Sequence, residues 1–232
     1  MRVKLLSYTT DAERLCGAAA LTTTKSGSPS EILEKINEDV AKKIIRKVTG
    51  HGHTSVIEHA SFTFSIEGVS RAMTHQLVRH RIASYTQQSQ RYVTYNALKE
   101  YVTPPNIETK KEAKRLYNNT LEKISETYKK LLEMNIPTED ARFILPNAAK
   151  TNIMVTMNAR ELRHFFNLRC CARAQWEIRE TAMEMLKQAK KAAPALFEEA
   201  GPSCVENGYC LEGERKPAEC NVTELKKLFH GM

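Results

Sequence analysis

Between residues 61 and 67 the chain reads SFTFSIE, where Phe62, Phe64 and Ile66 alternate with Ser, Thr and Ser. A period of two sends successive side chains to opposite faces, so this segment predicts a half-buried β-strand that Gly68 closes. Residues 2–8, RVKLLSY, predict a first strand. The pattern then changes period. SPSE at 28–31 offers Ser28 as an N-cap, Pro29 at the first helical position and Glu31 three residues after the cap. Behind it Ile36, Val40, Ile44 and Val48 recur every fourth residue, which predicts one helix running to Gly50. Val69, Ala72, Met73 and Leu77 predict a further helix, whose end near Gln76, Arg79 and His80 runs into a polar loop. Beyond Pro104-Pro105 a long amphipathic helix is predicted over 109–134, burying Leu116, Leu121, Ile124, Leu131 and Leu132. A second long helix is predicted from near Asn158. It carries Leu162, Phe165, Phe166 and Trp176 inward and ends in the Lys-rich 187–191 segment, where cations suit a helix C-terminus.

Composition narrows the class. The 232 residues suffice for a sizeable core, and the expectation is one intertwined domain over 1–232 with a Cys-containing tail at about 201–232. No apolar run approaches the roughly 20 residues that cross a bilayer, and MRVKLLSYTTDAERL lacks the long apolar core of a secretion signal. A cytoplasmic protein without a membrane partner is expected. The formal net charge of +8 is spread along the chain, which favours anionic partners, either nucleic acid or small phosphorylated ligands. Six cysteines without a secretion signal read as thiols.

Three constellations could carry chemistry. His51, His53 and His59, with Glu58 adjacent, have the residue types of a zinc site with a water-activating carboxylate, but their spacing better suits a helix cap and a polar turn. In RHRIASYTQQSQR (79–91), Arg79, Arg81 and Arg91 offer planar forks to phosphate oxygens, with Ser84 and Ser89 hydroxyls beside them. Gln76, Gln87, Gln88 and Gln90 add paired donors and acceptors, which suit a nucleotide's base together with its phosphate. In NARELRHFFNLR (158–169), Arg160, His164 and Asn167 fall near one helical face while Leu162, Phe165 and Phe166 turn inward. Arg142, after PTEDA, is a weaker candidate by itself. Neither G-x-G-x-x-G nor G-x-x-x-x-G-K-[ST] is present, so a nucleotide would be held without a Rossmann fingerprint or P-loop. Cys170 and Cys171 lie in an apolar helix and read as core. Cys204, Cys210 and Cys220 are separated by five and nine residues, unlike the close pairs of zinc sites, so a reduced, metal-free tail packed on the subunit or its neighbour is expected. A nucleotide-handling enzyme, a metal-dependent hydrolase and a nucleic-acid-binding protein all remain open on this footing.

The segment Arg79 to Ser89 matches the RHR-x7-S signature of the flavin-dependent thymidylate synthases. HGHTSVIEHASFTF resembles that family's HGH-x4-EH segment leading into a strand, and NARELRHFFNLR with AQWEIR resembles its late helix. The three segments, in the family's order, cover most of residues 50–180. The resemblance implies an α+β fold with a mixed sheet packed against long helices, and a homotetramer with shared active sites. It also implies bound FAD and synthesis of dTMP from dUMP by reductive methylation, with methylenetetrahydrofolate as carbon donor and NADPH as reductant; no nucleic-acid partner and no metal are implied. Carried over by motif, His53, Ser55, Arg79, His80, Arg81, Asn158, Arg160 and His164 would contact FAD. Gln76, Arg79, Gln87, Gln88, Ser89, Gln90, Arg91, Arg142 and Arg169 would hold dUMP, with Arg169 the catalytic residue at the uracil edge. Ser89 reads as a phosphate anchor, because no His and carboxylate are arranged to activate its hydroxyl. Family members often carry Glu at the place of Gln87, Gly at Gln90 and Asn at His164, changes that keep hydrogen bonding but alter charge or bulk.

Overall fold

A computed structural model of the chain describes residues 1–94, 100–218 and 220–232. The elements run β1 (Arg2–Tyr8), α1 (Ala12–Thr22), α2 (Pro29–Lys35), α3 (Glu38–Gly50), β2 (Ser61–Ser70), α4 (Arg71–Leu77) and β3 (Ala83–Gln87). They continue with α5 (Pro105–Glu108), α6 (Lys111–Glu133), α7 (Thr138–Ala141), β4 (Lys150–Asn158), α8 (Ala159–Arg169) and α9 (Trp176–Ala192). Three short or terminal helices close the chain: α10 (Pro194–Phe197), α11 (Ser203–Asn207) and α12 (Val222–His230). The sheet has strand order β1-β2-β4-β3 and is antiparallel, so the fold is α+β but without the mixed sheet expected from the resemblance.

Local chemistry explains where elements start. Ser28 forms a complete capping box with Glu31, so α2 begins where the pattern puts it. The predicted single helix to Gly50 is broken, however: Ile36 is extended, and the Asn37 side chain accepts from Val40 N–H to start α3 afresh. That new start rotates the helix, so Ala41 and Ile45 are buried while Val40 is 40% exposed. The long helix expected from Asn158 is also two. α8 ends at Arg169, and Gln175 caps α9 by accepting from Glu177 and Ile178 N–H (3.0 and 3.1 Å). Gly68 does not close its strand; it sits inside β2 at φ 68, where Asn152 Oδ1 accepts its N–H at 2.9 Å. Val69 belongs to β2, and Ser70 caps α4. β3 occupies part of the stretch expected to be loop, and β4 and α1 were not anticipated.

The described residues group into two compact units. The first comprises Met1–Arg2, Ile66–Arg79 and Thr86–Ile153. There α6 buries Leu121 and Tyr128, and Leu121 packs with Tyr101 and Ala149. Leu116 is 71% exposed instead of buried, because Tyr117 takes the inward position and donates its hydroxyl to Val102 O (2.7 Å). The second unit comprises Val3–Ser65, His80–Tyr85 and Met154–Met232. Its core is aromatic: Phe62 meets Phe197 edge-on at 5.1 Å, and Phe166 meets Phe197 at 6.0 Å. α9 protects the outer strand β1, since Gln188 accepts from Leu5 N–H (2.6 Å) and donates to Val3 O (3.0 Å). The C-terminal segment is held there too, with Phe229 of α12 buried and its carbonyl accepting from Lys190. Among the described residues no helix is long and apolar enough to cross a membrane.

Candidate active site

In the second unit α8 is positioned from its first turn. Asn158 Oδ1 accepts from Glu161 N–H (2.9 Å), and Ala159 N–H donates to Ala60 O (2.8 Å), tying the helix start to the chain just before β2. Residues four apart lie on one side of a helix, and here Glu161, Phe165 and Arg169 all face His80. Glu161 Oε1 lies 3.3 Å from His80 Nδ1. Phe165 meets the imidazole edge-on at 4.9 Å, and Arg169 donates from Nε to His80 Nε2 at 3.0 Å. Tyr85, on β3, donates its hydroxyl to the His80 carbonyl (2.8 Å). His80 is only 4% exposed, so its ring nitrogens face protein on both sides.

Electrostatics follow from this packing. Burial, then the Arg169 and His164 charges, lower the His80 pKa to about 4, which leaves the ring neutral at ordinary pH. Burial raises the Glu161 carboxyl, partly offset by His164, and burial lowers the Arg169 guanidinium. Burial and the Glu161 charge push the Tyr85 hydroxyl up.

The other residues expected at the flavin lie at the surface of their units. His53, Ser55, Arg79, Arg81, Arg160 and His164 are exposed, while Asn158 is half-buried and spends its side-chain oxygen on the α8 cap. Arg160 pairs with Glu58. Asn167, expected to share a face with Arg160 and His164, instead donates to Glu206 of α11 (2.8 Å), which also pairs with Arg163. The three histidines do not converge: His51 donates from Nδ1 to Lys47 O (2.6 Å) at the end of α3, and His59 lines an apolar groove with Leu15 and Leu33.

The first unit holds most of the residues expected at the nucleotide. Gln76 is half-buried and Arg79 exposed at the end of α4. Gln87 Nε2 donates to Thr74 Oγ1 (3.0 Å) and Thr151 Oγ1 (3.3 Å). Gln88 accepts from Asn152 Nδ2 (3.0 Å), and its carbonyl accepts from Arg71 (2.8 Å). Ser89 Oγ accepts from Arg91 N–H (3.1 Å), and Gln90 between them is half-buried. Arg91 grips Glu139 Oε2 from Nε (3.0 Å) and Nη2 (2.8 Å), while Arg142 donates to the Glu139 carbonyl (3.1 Å). Glu139 therefore brings Arg91 and Arg142 to one place, a link that reading Arg142 alone misses. Glu161 was missed as well, although its spacing to Phe165 and Arg169 was visible in the sequence.

A family profile described as thymidylate synthase complementing protein matches residues 4–195. The flavin-dependent thymidylate synthase of Geobacter sulfurreducens is 47% identical over 233 residues, covering 100% of this chain and 99% of that one. The chain belongs to the flavin-dependent thymidylate synthase family. It is thus an enzyme, and family membership decides among the three classes that charge and histidines left open. The flavin-dependent thymidylate synthase of Pyrococcus abyssi is 47% identical over 227 residues, with 95% of this chain and 93% of that one covered. The crystal structure of the Helicobacter pylori flavin-dependent thymidylate synthase, complexed with FAD and dUMP, superposes with a TM-score of 0.68 at 25% identity, over 87% of this chain and 100% of that one.

The family profile ends before the C-terminal cysteines. Cys170, Cys171, Cys204, Cys210 and Cys220 line one cavity of about 20 Å³, and all are free thiols. Burial pushes Cys170 up to about 12, and burial with the neighbouring thiols raises Cys204. Among the described residues no three His, Cys, Asp or Glu side chains are arranged to hold a metal ion.

Proposed function

We propose that this enzyme makes dTMP from dUMP by reductive methylation, taking a methylene group from methylenetetrahydrofolate and reducing equivalents from NADPH through FAD. The observation that carries the reading is family membership over the full chain, together with the RHR-x7-S segment and its exposed guanidinium groups. The residues fit an anionic dinucleotide cofactor: Arg79 and Arg81 are exposed and make no ion pair among the described residues, and His53, Ser55 and His164 add exposed donors. Arg160 would exchange Glu58 for a phosphate oxygen. Bound FAD would supply the hydride chemistry.

For dUMP, the phosphate dianion would take the place of the Glu139 carboxylate on Arg91, with Arg142, held by the Glu139 backbone carbonyl, beside it. The Arg91–Glu139 pair is about half exposed on both sides, and an exposed pair of this kind holds its partners weakly enough to exchange. Ser89 and neighbouring backbone amides would complete the cradle. Gln87 has its amide nitrogen committed to two threonines, so only its carbonyl oxygen is left for the nucleotide. Arg169 would lie at the uracil edge. A fixed cation there favours the N3-deprotonated form and raises electron density at C5, the carbon that attacks. His80, buried, would support Arg169, to which its Nε2 is hydrogen-bonded.

A homotetramer with shared active sites is part of the proposal. Ile82 (68%), Tyr92 (81%) and Phe143 (82%) are exposed apolar residues within or beside the arginine segments, and partner subunits would cover them. The test is dTMP formation from dUMP by purified protein, with FAD, NADPH and methylenetetrahydrofolate each omitted in turn, and native mass measured alongside. Turnover without folate or without flavin would overturn the reaction, and a monomer with full turnover would overturn shared sites.

A further inference from the structure

We infer that Glu161 is a positioning residue: its buried carboxylate fixes His80 as the Nδ1–H tautomer, so that the Nε2 lone pair holds the Arg169 guanidinium in place. This rests on the reading that Arg169 meets dUMP. A guanidinium only donates, so Arg169 Nε at 3.0 Å requires an unprotonated Nε2. A neutral imidazole then carries its one proton on Nδ1, which lies 3.3 Å from Glu161 Oε1. A carboxylate accepts and does not donate, so it permits that tautomer alone. An amide at the same place would permit both.

Among the described residues the ring has no other hydrogen-bonding partner. The Phe165 ring closes one edge and His164 stands 5.8 Å away, while Tyr85 fixes the backbone beneath by donating to the His80 carbonyl. From α8 the charged or titratable groups facing His80 are Glu161, His164 and Arg169; from β3 it is Tyr85. Glu161 is 6% exposed, so water does not substitute for it readily. The carboxylate also balances the half-buried Arg169 cation through the neutral ring. The chain of contacts Glu161, His80, Arg169 therefore aims a catalytic donor with a second residue that touches no ligand.

The test uses the full-length, FAD-loaded enzyme with nitrogen-15 histidine labelling. The wild-type His80 signal is expected to show a protonated Nδ1 and an unprotonated Nε2 at neutral pH. In Glu161→Gln an Nε2–H form appears beside the Nδ1–H form, and wherever it does the Arg169 contact is lost, so kcat falls about tenfold while the KM for dUMP changes less, since Arg169 acts on charge that develops during reaction. Flavin content and thermal midpoint are measured on the same samples to separate this from loss of fold. A wild-type His80 that carries its proton on Nε2, or on both nitrogens, overturns the inference even where the variant does not fold. So does a folded Glu161→Gln enzyme with one tautomer and unchanged kcat. Wild-type protein that makes no dTMP would instead sink the functional reading, and the tautomer result would stand apart from it.

Discussion

Comparing the wild-type protein with His80→Asn as the pH falls from 7 to 5 isolates one buried titration. In the folded chain burial, Arg169 and His164 lower the His80 pKa from 6.5 to about 4. The unfolded chain takes up the proton first, so this group favours folding above pH 6.5 and loses that contribution as the pH falls toward 4. The whole difference is on the order of 3 kcal/mol, and roughly 2 kcal/mol of it disappears between pH 6.5 and 5. Glu161 acts with the opposite sign: burial raises its carboxyl above 4.5, so its contribution is present below that pH and fades as the pH rises through the folded value. Urea unfolding at fixed protein concentration, at half-unit steps across this window, gives the two stability profiles. The variant is expected to be less stable at pH 7 yet to fall less steeply, because it no longer has this proton to take up. Parallel profiles would refute the argument, since they would mean that His80 titrates alike in the folded and unfolded chain.

Other expectations follow from the same geometry. Arg169→Lys keeps the charge but not the planar Nε donor that His80 accepts, so turnover should fall at least tenfold while dUMP still binds; unchanged turnover in a steady-state assay removes Arg169 from its role. Ser89→Ala should weaken dUMP binding by about tenfold or more and leave measurable dTMP formation, as loss of one hydrogen bond to a charged group does; trapping a Ser89–pyrimidine adduct by mass spectrometry would contradict the anchor role. Gly17→Ala places a Cβ 2.6 Å from Ala41 Cβ and 2.8 Å from Ala41 Cα, where α1 meets α3, so backbone must move. A cost of about 1–3 kcal/mol should lower the thermal midpoint by several degrees, and a midpoint that does not move would show that the helices part freely. Because Cys204, Cys210 and Cys220 are separated by five and nine residues, unlike the close pairs of zinc sites, purified protein should carry no stoichiometric zinc; zinc that vanishes in the Cys204→Ser, Cys210→Ser double variant would show otherwise.

What could be read from residues alone was local or carried by a motif. The Ser28 capping box needs only residues 28–31, the alternation of Phe62, Phe64 and Ile66 needs only the pleat of one strand, and the three family segments are written in the chain. The failures have a common cause. Hydrophobic spacing carried the expected helices straight through Ile36 and through Cys170, because the caps that restart them, Asn37 and Gln175, are individually ordinary residues. β3 and β4 depend on pairing between distant segments, for which single-strand propensity is a weak guide. The site divides the same way. Arg79, Arg91 and Arg169 announce themselves as cations in a signature, but whether each is exposed, paired to Glu139 or seated on a neutral histidine is set by what the fold brings beside it. Glu161 looks like any surface carboxylate in a helix. Only the tertiary structure buries it against His80, and burial is what turns an acid that water would have satisfied into one whose polar neighbour matters.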